Sequence, residues 1–346
     1  MALSPSPAMS RVHSATDLPF SRPGTPVLHP ANLVQAFVGL GSMGYFMARN
    51  IARQSEKSLL VWNRTRTKSE KLQRELGPDK IKIVDSIADV AGLADVIFTN
   101  LANDQVVNAV YDEIVSFLKA HPPKTPKIFV ETSTIYPAVA GELDAKITSI
   151  PHTHFVVAPV WGPPAADKAQ LIVVLAGEYK IRKEIAYLVV PAVGRKVIDM
   201  GGNVEKALAL KLTGNAFILG AIELLAETMT LADKSGVGAA NLQMLIGYGQ
   251  KMLTDSFDGA TALSIEGGLK DASHIRRLAL ESNTTVPTVD IAHQHLVTAR
   301  ALETSALSPS KPPFEILDWS ALVSALRIAA GLPGFDSAKH GGVQKA

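Results

Sequence analysis

Two polar residues, Lys211 and Asn215, interrupt a markedly apolar part of the chain. They lie four positions apart in the segment from Val204 to Lys234, which is predicted to be one long helix, so both side chains face the same space. A lysine among apolar residues is costly unless it faces a cleft or a partner. Burial lowers the pKa of a lysine and makes it a usable general acid or base near neutral pH. The spacing alone is equally compatible with an interface lysine whose amine reaches solvent.

A glycine-rich turn, Gly39-Leu40-Gly41-Ser42-Met43-Gly44, follows the apolar run from Val34 to Val38 and precedes a segment with helical spacing. Glycine is needed where the turn is tight, where backbone approaches a pyrophosphate, and where helix packs on strand. The N–H groups at the start of the helix also attract phosphate. The strand–turn–helix context favours a dinucleotide site over an ordinary tight turn.

The strand predicted next ends in Asn63-Arg64-Thr65-Arg66. In dinucleotide-binding folds, an acidic residue about 20 positions beyond the glycines usually binds the adenosine ribose. Neutral Asn63 holds that position here. A carboxylate would repel a 2′-phosphate, whereas the guanidinium of Arg64 can bind one through two parallel hydrogen bonds, with Thr65 and Arg66 as further contacts. NADP is therefore favoured over NAD, and a solvated polar turn is the alternative.

These residues require a scaffold, and the first part of the chain alternates apolar β-type runs with helical stretches. That alternation is typical of a Rossmann-type α/β fold with a doubly wound parallel sheet. The predicted strands are Gln35–Val38, Leu59–Trp62, Ile81–Val84, Val96–Asn100, Ile128–Glu131, Phe155–Pro159, Leu171–Leu175 and Lys196–Met200.

After Gly202 the pattern becomes helical, with segments near 204–234, 239–257, 268–282, 286–304 and 318–330. We therefore expect a disordered Pro/Ser-rich arm at 1–30, an NADP-binding Rossmann domain at 31–200, an all-helical domain at 201–335 for substrate binding and dimerisation, and a polar tail at 336–346. A helix that is apolar almost all round is usually buried in a core or a subunit interface, so a homodimer is expected.

Composition limits the remaining function classes. The 346 residues carry a formal net charge of +2 and no cysteine. The charge gives no reason to expect a nucleic acid partner, and the missing cysteines exclude disulfides and thiol nucleophiles. No run of 18 uncharged apolar residues predicts a membrane span. His152 and His154 are two apart on a predicted strand without a third ligand nearby, so no metal site is predicted. We expect a cytoplasmic protein, with mitochondrial targeting by residues 1–30 as the alternative.

The chain resembles the β-hydroxyacid dehydrogenase family, which includes 3-hydroxyisobutyrate dehydrogenase and the glyoxylate/succinic semialdehyde reductases. The resemblance spans roughly residues 33 to 330 and rests on several motifs in the family's order. These are Gly39–Gly44 with Met47, Ala48 and Asn50; Glu131-Thr132-Ser133-Thr134-Ile135-Tyr136-Pro137; Ala158-Pro159-Val160-Trp161-Gly162; Lys211-Leu212-x-x-Asn215; and Lys270-Asp271.

The resemblance implies a role for each matching position. Lys211 would donate a proton to a carbonyl oxygen during reduction, and Asn215 would bind substrate beside it. Ser133 and Thr134 would lie near the nicotinamide, together with Leu101-Ala102-Asn103. Ser133, Trp161 and Gly162 would contact substrate. Lys270 would close over the cofactor, with Asp271 as a supporting residue at a helix start.

The substrate loop departs from the family, which commonly has a serine where Trp161 stands. Trp161-Gly162-Pro163-Pro164 offers an indole and a turn with fewer backbone donors. A small hydroxyacid is therefore in doubt, and an apolar or larger carbonyl compound, or an imine, becomes plausible; a purely structural Trp161 is the alternative. We expect an NADPH-dependent carbonyl reductase. The alternatives are an imine reductase, which usually has another residue at the lysine position, and a catalytically silent NADP-binding protein.

Overall fold

The computed structural model describes residues 18–21, 33–162, 166–234, 236, 238–239, 247–283, 285–304 and 316–337. Within these residues, nine strands form one sheet. They are β1 (Gln35–Val38), β2 (Leu59–Trp62), β3 (Ile81–Ile83), β4 (Val96–Thr99), β5 (Lys127–Glu131), β6 (Thr153–Val157), β7 (Val160–Trp161), β8 (Leu171–Gly177) and β9 (Gly194–Asp199).

The helices fall into two groups along the chain. Those between strands are α1 (Ser42–Gln54), α2 (Arg66–Leu76), α3 (Ile87–Leu93), α4 (Asp104–Ala120), α5 (Pro137–Thr148) and α6 (Tyr179–Val189). Those after the sheet are α7 (Val204–Lys234), α8 (Gly247–Thr254), α9 (Ile265–Glu281), α10 (Pro287–Thr304) and α11 (Val323–Ala329), with 3-10 helices at Gly259–Thr261 and Trp319–Leu322.

The sheet has the order β3-β2-β1-β4-β5-β6-β8-β7, with β9 paired to β8. Strands β1 to β6 are parallel, and the chain reverses its direction of winding between β1 and β4. Ligands of open α/β sheets bind at the carboxyl ends of the strands where the winding reverses. The predicted Rossmann-type fold followed by helices is confirmed.

One part of the sheet differs from the prediction of parallel strands throughout. Strand β8 runs antiparallel to β6 and to β7, a two-residue strand absent from the prediction. A buried apolar run looks alike in either direction, because strand direction depends on the connection rather than on the side chains. No crossover helix separates β6 from β8 among the described residues, so the chain returns antiparallel.

Both faces of the sheet are covered. One core joins it to α1, α2 and α6, and the other joins it to α4, α5 and the first turns of α7. Strand β1 serves both, since Phe37 lies in the first core and Ala36 and Val38 in the second. A third core fills the helical part around Phe257 and Trp319. Helix α7 therefore belongs to both halves and carries Lys211 between them.

Short pieces of the predicted arm and tail contact the folded chain. Residues 18–21 of the arm were predicted to be disordered, yet the Tyr187 hydroxyl donates to the Phe20 carbonyl at 2.8 Å and the Phe20 ring meets Tyr179. These four residues therefore contact helix α6 through Phe20. Ser337 likewise donates to the Leu253 carbonyl at 2.7 Å. Residues 1–17, 22–30 and 338–346, and 240–246 of the helix predicted at 239–257, lie outside the described residues.

Helix α7 also bears on the question of a membrane. Its part Val204–Ala226 is long and apolar enough to cross a bilayer by length and composition, a test that core helices of soluble proteins pass as well. In this fold α7 packs against α5, α9, α10 and α11, which is the position of a core helix.

Candidate functional site

A cleft of about 1220 Å³ lies at the carboxyl ends of β1, β2, β4 and β5 and is closed on its far side by α9 and α10. Nearly all residues predicted to bind cofactor line it. From the sheet side these are Gly39, Gly41, Ser42, Met43, Asn63, Arg64, Thr65, Leu101, Asn103 and Thr134, and from the helical side Lys270. Ser133, predicted to contact substrate, lines the cleft as well.

The three glycines of the turn serve three different purposes. Gly39 has φ +97°, and a Cβ there would lie 2.2 Å from the Asn100 carbonyl oxygen. A Cβ on Gly44 would lie 2.1 Å from the Gly39 carbonyl oxygen, so this glycine lets α1 pack on the turn instead of lining the cleft. A Cβ on Gly41 would meet no atom within 4 Å. Gly41 thus leaves open space where a ligand can reach the backbone.

Helix α1 begins at this open position without a side-chain cap. Gly41 occupies the N-cap, and no side chain accepts a hydrogen bond from the first turn. No acidic residue occupies that turn. Free N–H groups and the positive end of the helix dipole suit a phosphate. The turn therefore fits the pyrophosphate of a dinucleotide.

The polar residues that follow β2 make different contacts. The Leu40 N–H donates to Asn63 Oδ1 at 2.8 Å, and Asn63 Nδ2 donates to the Thr65 carbonyl at 2.9 Å, so Asn63 holds the glycine turn against β2. Arg66, predicted as a further contact to the 2′-phosphate, pairs with Asp85 at 2.6 Å and is not among the residues that line the cleft. Lys68, in the first turn of α2, lines the cleft together with Arg64. Lys68 was not predicted, because Arg64 precedes the helix and a spacing of four carries no helical meaning there.

Buried polar bonds fix the neighbouring ends of β4 and β5. The Glu131 carboxylate accepts the Thr99 hydroxyl at 2.7 Å and the Ser133 N–H at 2.6 Å. Burial raises the pKa of the Glu131 carboxyl. Ser133 Oγ in turn accepts the Leu101 N–H at 2.7 Å, which ties together the two loops that line the cleft. Glu131 belonged to a quoted motif, but no role was predicted for it.

Lys270 and Asp271 connect this cleft to the predicted catalytic residues. Lys270 Nζ donates to the Thr134 carbonyl at 2.7 Å and lies 3.2 Å from Asp271 Oδ1. The prediction that Asp271 stands at a helix start is wrong, because α9 begins at Ile265 with Ser264 as its cap. Asp271 is instead buried within the helix, where it can act as an acceptor.

Lys211 and Asn215 meet as the helical spacing predicted. Lys211 Nζ donates to Asn215 Oδ1 at 3.1 Å, and Asn215 Nδ2 donates to Asp271 Oδ2 at 2.5 Å. The indole N–H of Trp161 donates to the same Asn215 Oδ1 at 2.9 Å. Among the described residues that line the cleft, neither Lys211 nor Asn215 appears; Asp271 and Lys270 link them to it. Gly162 follows Trp161 with φ +108°.

The environment of Lys211 changes its acidity. Its exposed fraction is 7%. Burial lowers the pKa of Lys211 to about 7; nearby Asp271 opposes this shift and Lys270 adds to it. The amine is thus divided between its two protonation states near neutral pH, which is the condition for a general acid or base.

A row of side chains along α9 holds the two halves of the chain together. His274 Nε2 lies 3.2 Å from Asp104 Oδ2, and the Tyr136 hydroxyl donates to Glu281. The Arg277 guanidinium lies 3.8 Å from the centre of the Tyr136 ring. The sequence analysis missed these pairs because their partners lie far apart in sequence.

The histidine pair considered for a metal site does not share a strand face. His152 lies in a turn with φ +62°, just before β6, and His154 Nδ1 bonds Glu178 at 2.9 Å. The described residues contain no group of three or more metal-ligating side chains.

Residues 35–202 match the family model of the NAD binding domain of 6-phosphogluconate dehydrogenase. The chain is 28% identical over 307 residues to the NADH-dependent oxidoreductase ucdB of Aspergillus ustus, covering 84% of this chain and 98% of that protein. It is 30% identical to the mitochondrial 3-hydroxyisobutyrate dehydrogenase of Drosophila melanogaster over 59% of each chain. These similarities agree with the resemblance to the β-hydroxyacid dehydrogenase family that the sequence motifs indicate.

The fold agrees with this resemblance. The 3-hydroxyisobutyrate dehydrogenase of Mycobacterium tuberculosis, solved with L-serine, superimposes with a TM-score of 0.68 at 22% identity, covering 85% of this chain and 99% of that one. At this identity the likeness concerns the fold, a sheet domain followed by helices. The chain is accordingly similar to oxidoreductases, and its residues 35–202 match a dinucleotide-binding domain.

Proposed function

We propose that this β-hydroxyacid dehydrogenase relative is an NADPH-dependent reductase of carbonyl compounds and that Lys211 is its general acid. The observation that carries the proposal is the buried amine of Lys211, hydrogen-bonded to Asn215 at the boundary between the two halves. The glycine turn would bind the pyrophosphate, and the Leu101 and Ser133 loops would flank the nicotinamide. Bound NADPH would supply a hydride to the carbonyl carbon.

The residues of the chain then account for the rest of the reaction. Asn215 fixes the direction of Lys211 Nζ, since Trp161 and Lys211 both donate to its side-chain oxygen. A proton passes from Lys211 Nζ to the substrate oxygen, which yields an alcohol and leaves a neutral amine. With a pKa of about 7, that amine regains a proton from solvent near neutral pH.

The test is the oxidation of NADPH in the presence of a panel of aldehydes, ketones and cyclic imines. We expect turnover of carbonyl compounds, and we expect Lys211→Met to lower kcat by about 100-fold or more, because general acids contribute on that scale. Lys206→Met, a change at an exposed lysine on the same helix, is the control. Unchanged turnover in Lys211→Met, or activity confined to imines, would contradict the proposal.

The preference for NADPH rests on Arg64 and Lys68. Both line the cleft next to the end of β2, and the acidic position holds Asn63, whose side chain is already bonded to backbone. The relative from Aspergillus ustus is named as NADH-dependent, so the two residues need a direct test.

We expect Arg64→Ala to weaken NADPH binding about tenfold or more while changing NADH binding little, because only NADPH carries the 2′-phosphate. Calorimetric titration of both cofactors measures this. Arg66→Ala is the matched control, since Arg66 pairs with Asp85. An equal loss of affinity for NADPH and NADH in Arg64→Ala would show that Arg64 does not bind the 2′-phosphate.

A further inference from the structure

Trp161 covers the amine of Lys211 and depends on a glycine to do so. Lys211 Nζ lies 5.3 Å from the centre of the Trp161 ring. A Cβ on Gly214 would stand 2.4 Å from Trp161 Cζ2, so the indole can lie against α7 only because residue 214 has no side chain. The indole N–H then reaches Asn215. The Trp161 ring, Gly214 and the Asn215 amide therefore contact one another beside Lys211.

Among the described residues, three donor groups near Lys211 are already hydrogen-bonded inside the protein. The Trp161 N–H goes to Asn215, and Asn215 Nδ2 goes to Asp271. Lys270 binds the Thr134 carbonyl. A bound carboxylate has two oxygens that each need donors to replace water. A carbonyl oxygen needs only one, and Lys211 retains N–H groups beyond its bond to Asn215.

Charge acts in the same direction. Asp271 is 1% exposed and lies in one cluster with Lys211 and Lys270, so a second carboxylate would have to share these two cations with Asp271 where little water screens the repulsion between the two carboxylates. Lys270 already pairs with Asp271 at 3.2 Å. An uncharged group beside the reacting carbonyl avoids both costs and can pack on the indole.

We infer that Trp161, seated against Gly214, determines specificity: it rejects substrates with a carboxylate next to the reacting carbonyl and selects uncharged carbonyl compounds whose apolar group packs against the indole. This inference rests on the proposed carbonyl reduction and names its substrate class.

The test compares benzoylformate with its methyl ester, two compounds with the same skeleton that differ in charge. Binding of each to the enzyme saturated with NADP⁺ is measured by calorimetry, and turnover of each is measured with NADPH. We expect wild type to bind the ester about tenfold or more tighter than the acid, and kcat/KM to follow the same order.

Three variants test whether Trp161 causes the preference for the ester. Trp161→Ser removes the ring, and Gly214→Ala displaces it without changing it; each is expected to reduce the ester-to-acid ratio about tenfold. Trp161→Phe keeps an aromatic ring and is the matched control, expected to keep most of the ester preference. Gly214→Ala also covers the case in which Trp161→Ser fails to fold.

Two results would overturn the inference: equal binding of acid and ester by wild type, or a ratio unchanged in both Trp161→Ser and Gly214→Ala. Because binding is measured without turnover, selective binding of an ester that is never reduced would count against the proposed reduction while supporting the role of Trp161.

Discussion

Lys211 meets two opposing requirements. Its function as a proton donor needs a pKa near the working pH, and burial provides this by lowering the pKa from 10.5 to about 7. The same burial makes the charged amine unfavourable in the folded state. One pKa unit corresponds to about 1.4 kcal/mol, so the chain retains this lysine at a cost to its stability.

The pH dependence of reduction follows from this residue. Reduction needs protonated Lys211, so we expect kcat/KM for reduction to fall as the pH rises through about 7, while oxidation of the alcohol product rises over the same range. Initial rates in both directions across the neutral range measure the two profiles. Parallel profiles for the two directions would contradict the role of Lys211.

Replacing Lys211 should also stabilise the protein in a pH-dependent way. The folded state disfavours the charged amine, so its cost is full below about pH 7 and disappears as the pH approaches 10.5, where the unfolded chain also loses the proton. We expect Lys211→Met to raise the free energy of unfolding by about 2 kcal/mol or more at pH 6 and by less at pH 9. Denaturant titrations at both pH values measure it. An advantage that grows with pH would contradict the argument, and Lys206→Met serves as the exposed control.

At the scale of elements, the turn between β1 and α1 contains glycines that are required for different reasons. Gly39 is required because its φ is positive and the Asn100 carbonyl lies close to its Cα. Gly41 leaves open space that a ligand can occupy. Both positions look the same in a G-x-G-x-x-G pattern. Their substitutions should therefore fail in different ways.

We expect Gly39→Ala to lower the free energy of unfolding by more than about 1 kcal/mol, because φ is positive and the Asn100 carbonyl is in the way. Gly41→Ala should leave stability nearly unchanged and weaken binding of the dinucleotide about tenfold, since its Cβ meets only the cleft. Thermal unfolding without ligand and calorimetric titration with NADPH separate the two effects. Equal behaviour of the two variants in both measurements would refute this division of roles.

At the scale of the whole molecule, α9 connects the halves. Its residues Lys270, His274, Arg277 and Glu281 recur at spacings of four, three and four, which is one face of a helix, and each reaches a partner in the sheet domain or at its edge. Because Lys270 lines the cleft and adjoins Asp271, the same face also joins the cofactor-binding residues to Lys211.

A second face at this scale is apolar and exposed. Phe217 is 78% exposed and Leu224, two turns later on α7, is 59% exposed. We predict that two copies of the chain associate through this face and that Phe217→Glu produces monomers, since a buried charge opposes association. Sedimentation measures the state. Leu93→Glu, at an equally apolar residue on α3 that is 54% exposed, is the control. A monomeric wild type, or a Phe217→Glu dimer, would contradict the prediction.

The sequence by itself determined the features that depend on local spacing. Short apolar runs located the strands and helical spacing located the helices. The glycine turn indicated a dinucleotide, and an i, i+4 relation joined Lys211 to Asn215. Only the tertiary structure decided that β8 runs antiparallel to β6 and that Lys270 and Asp271 lie within α9 instead of at its start. It also decided that Arg66 pairs with Asp85 and that the Trp161 ring packs against Gly214. Each of these depends on contacts between residues distant in sequence, which local patterns do not encode.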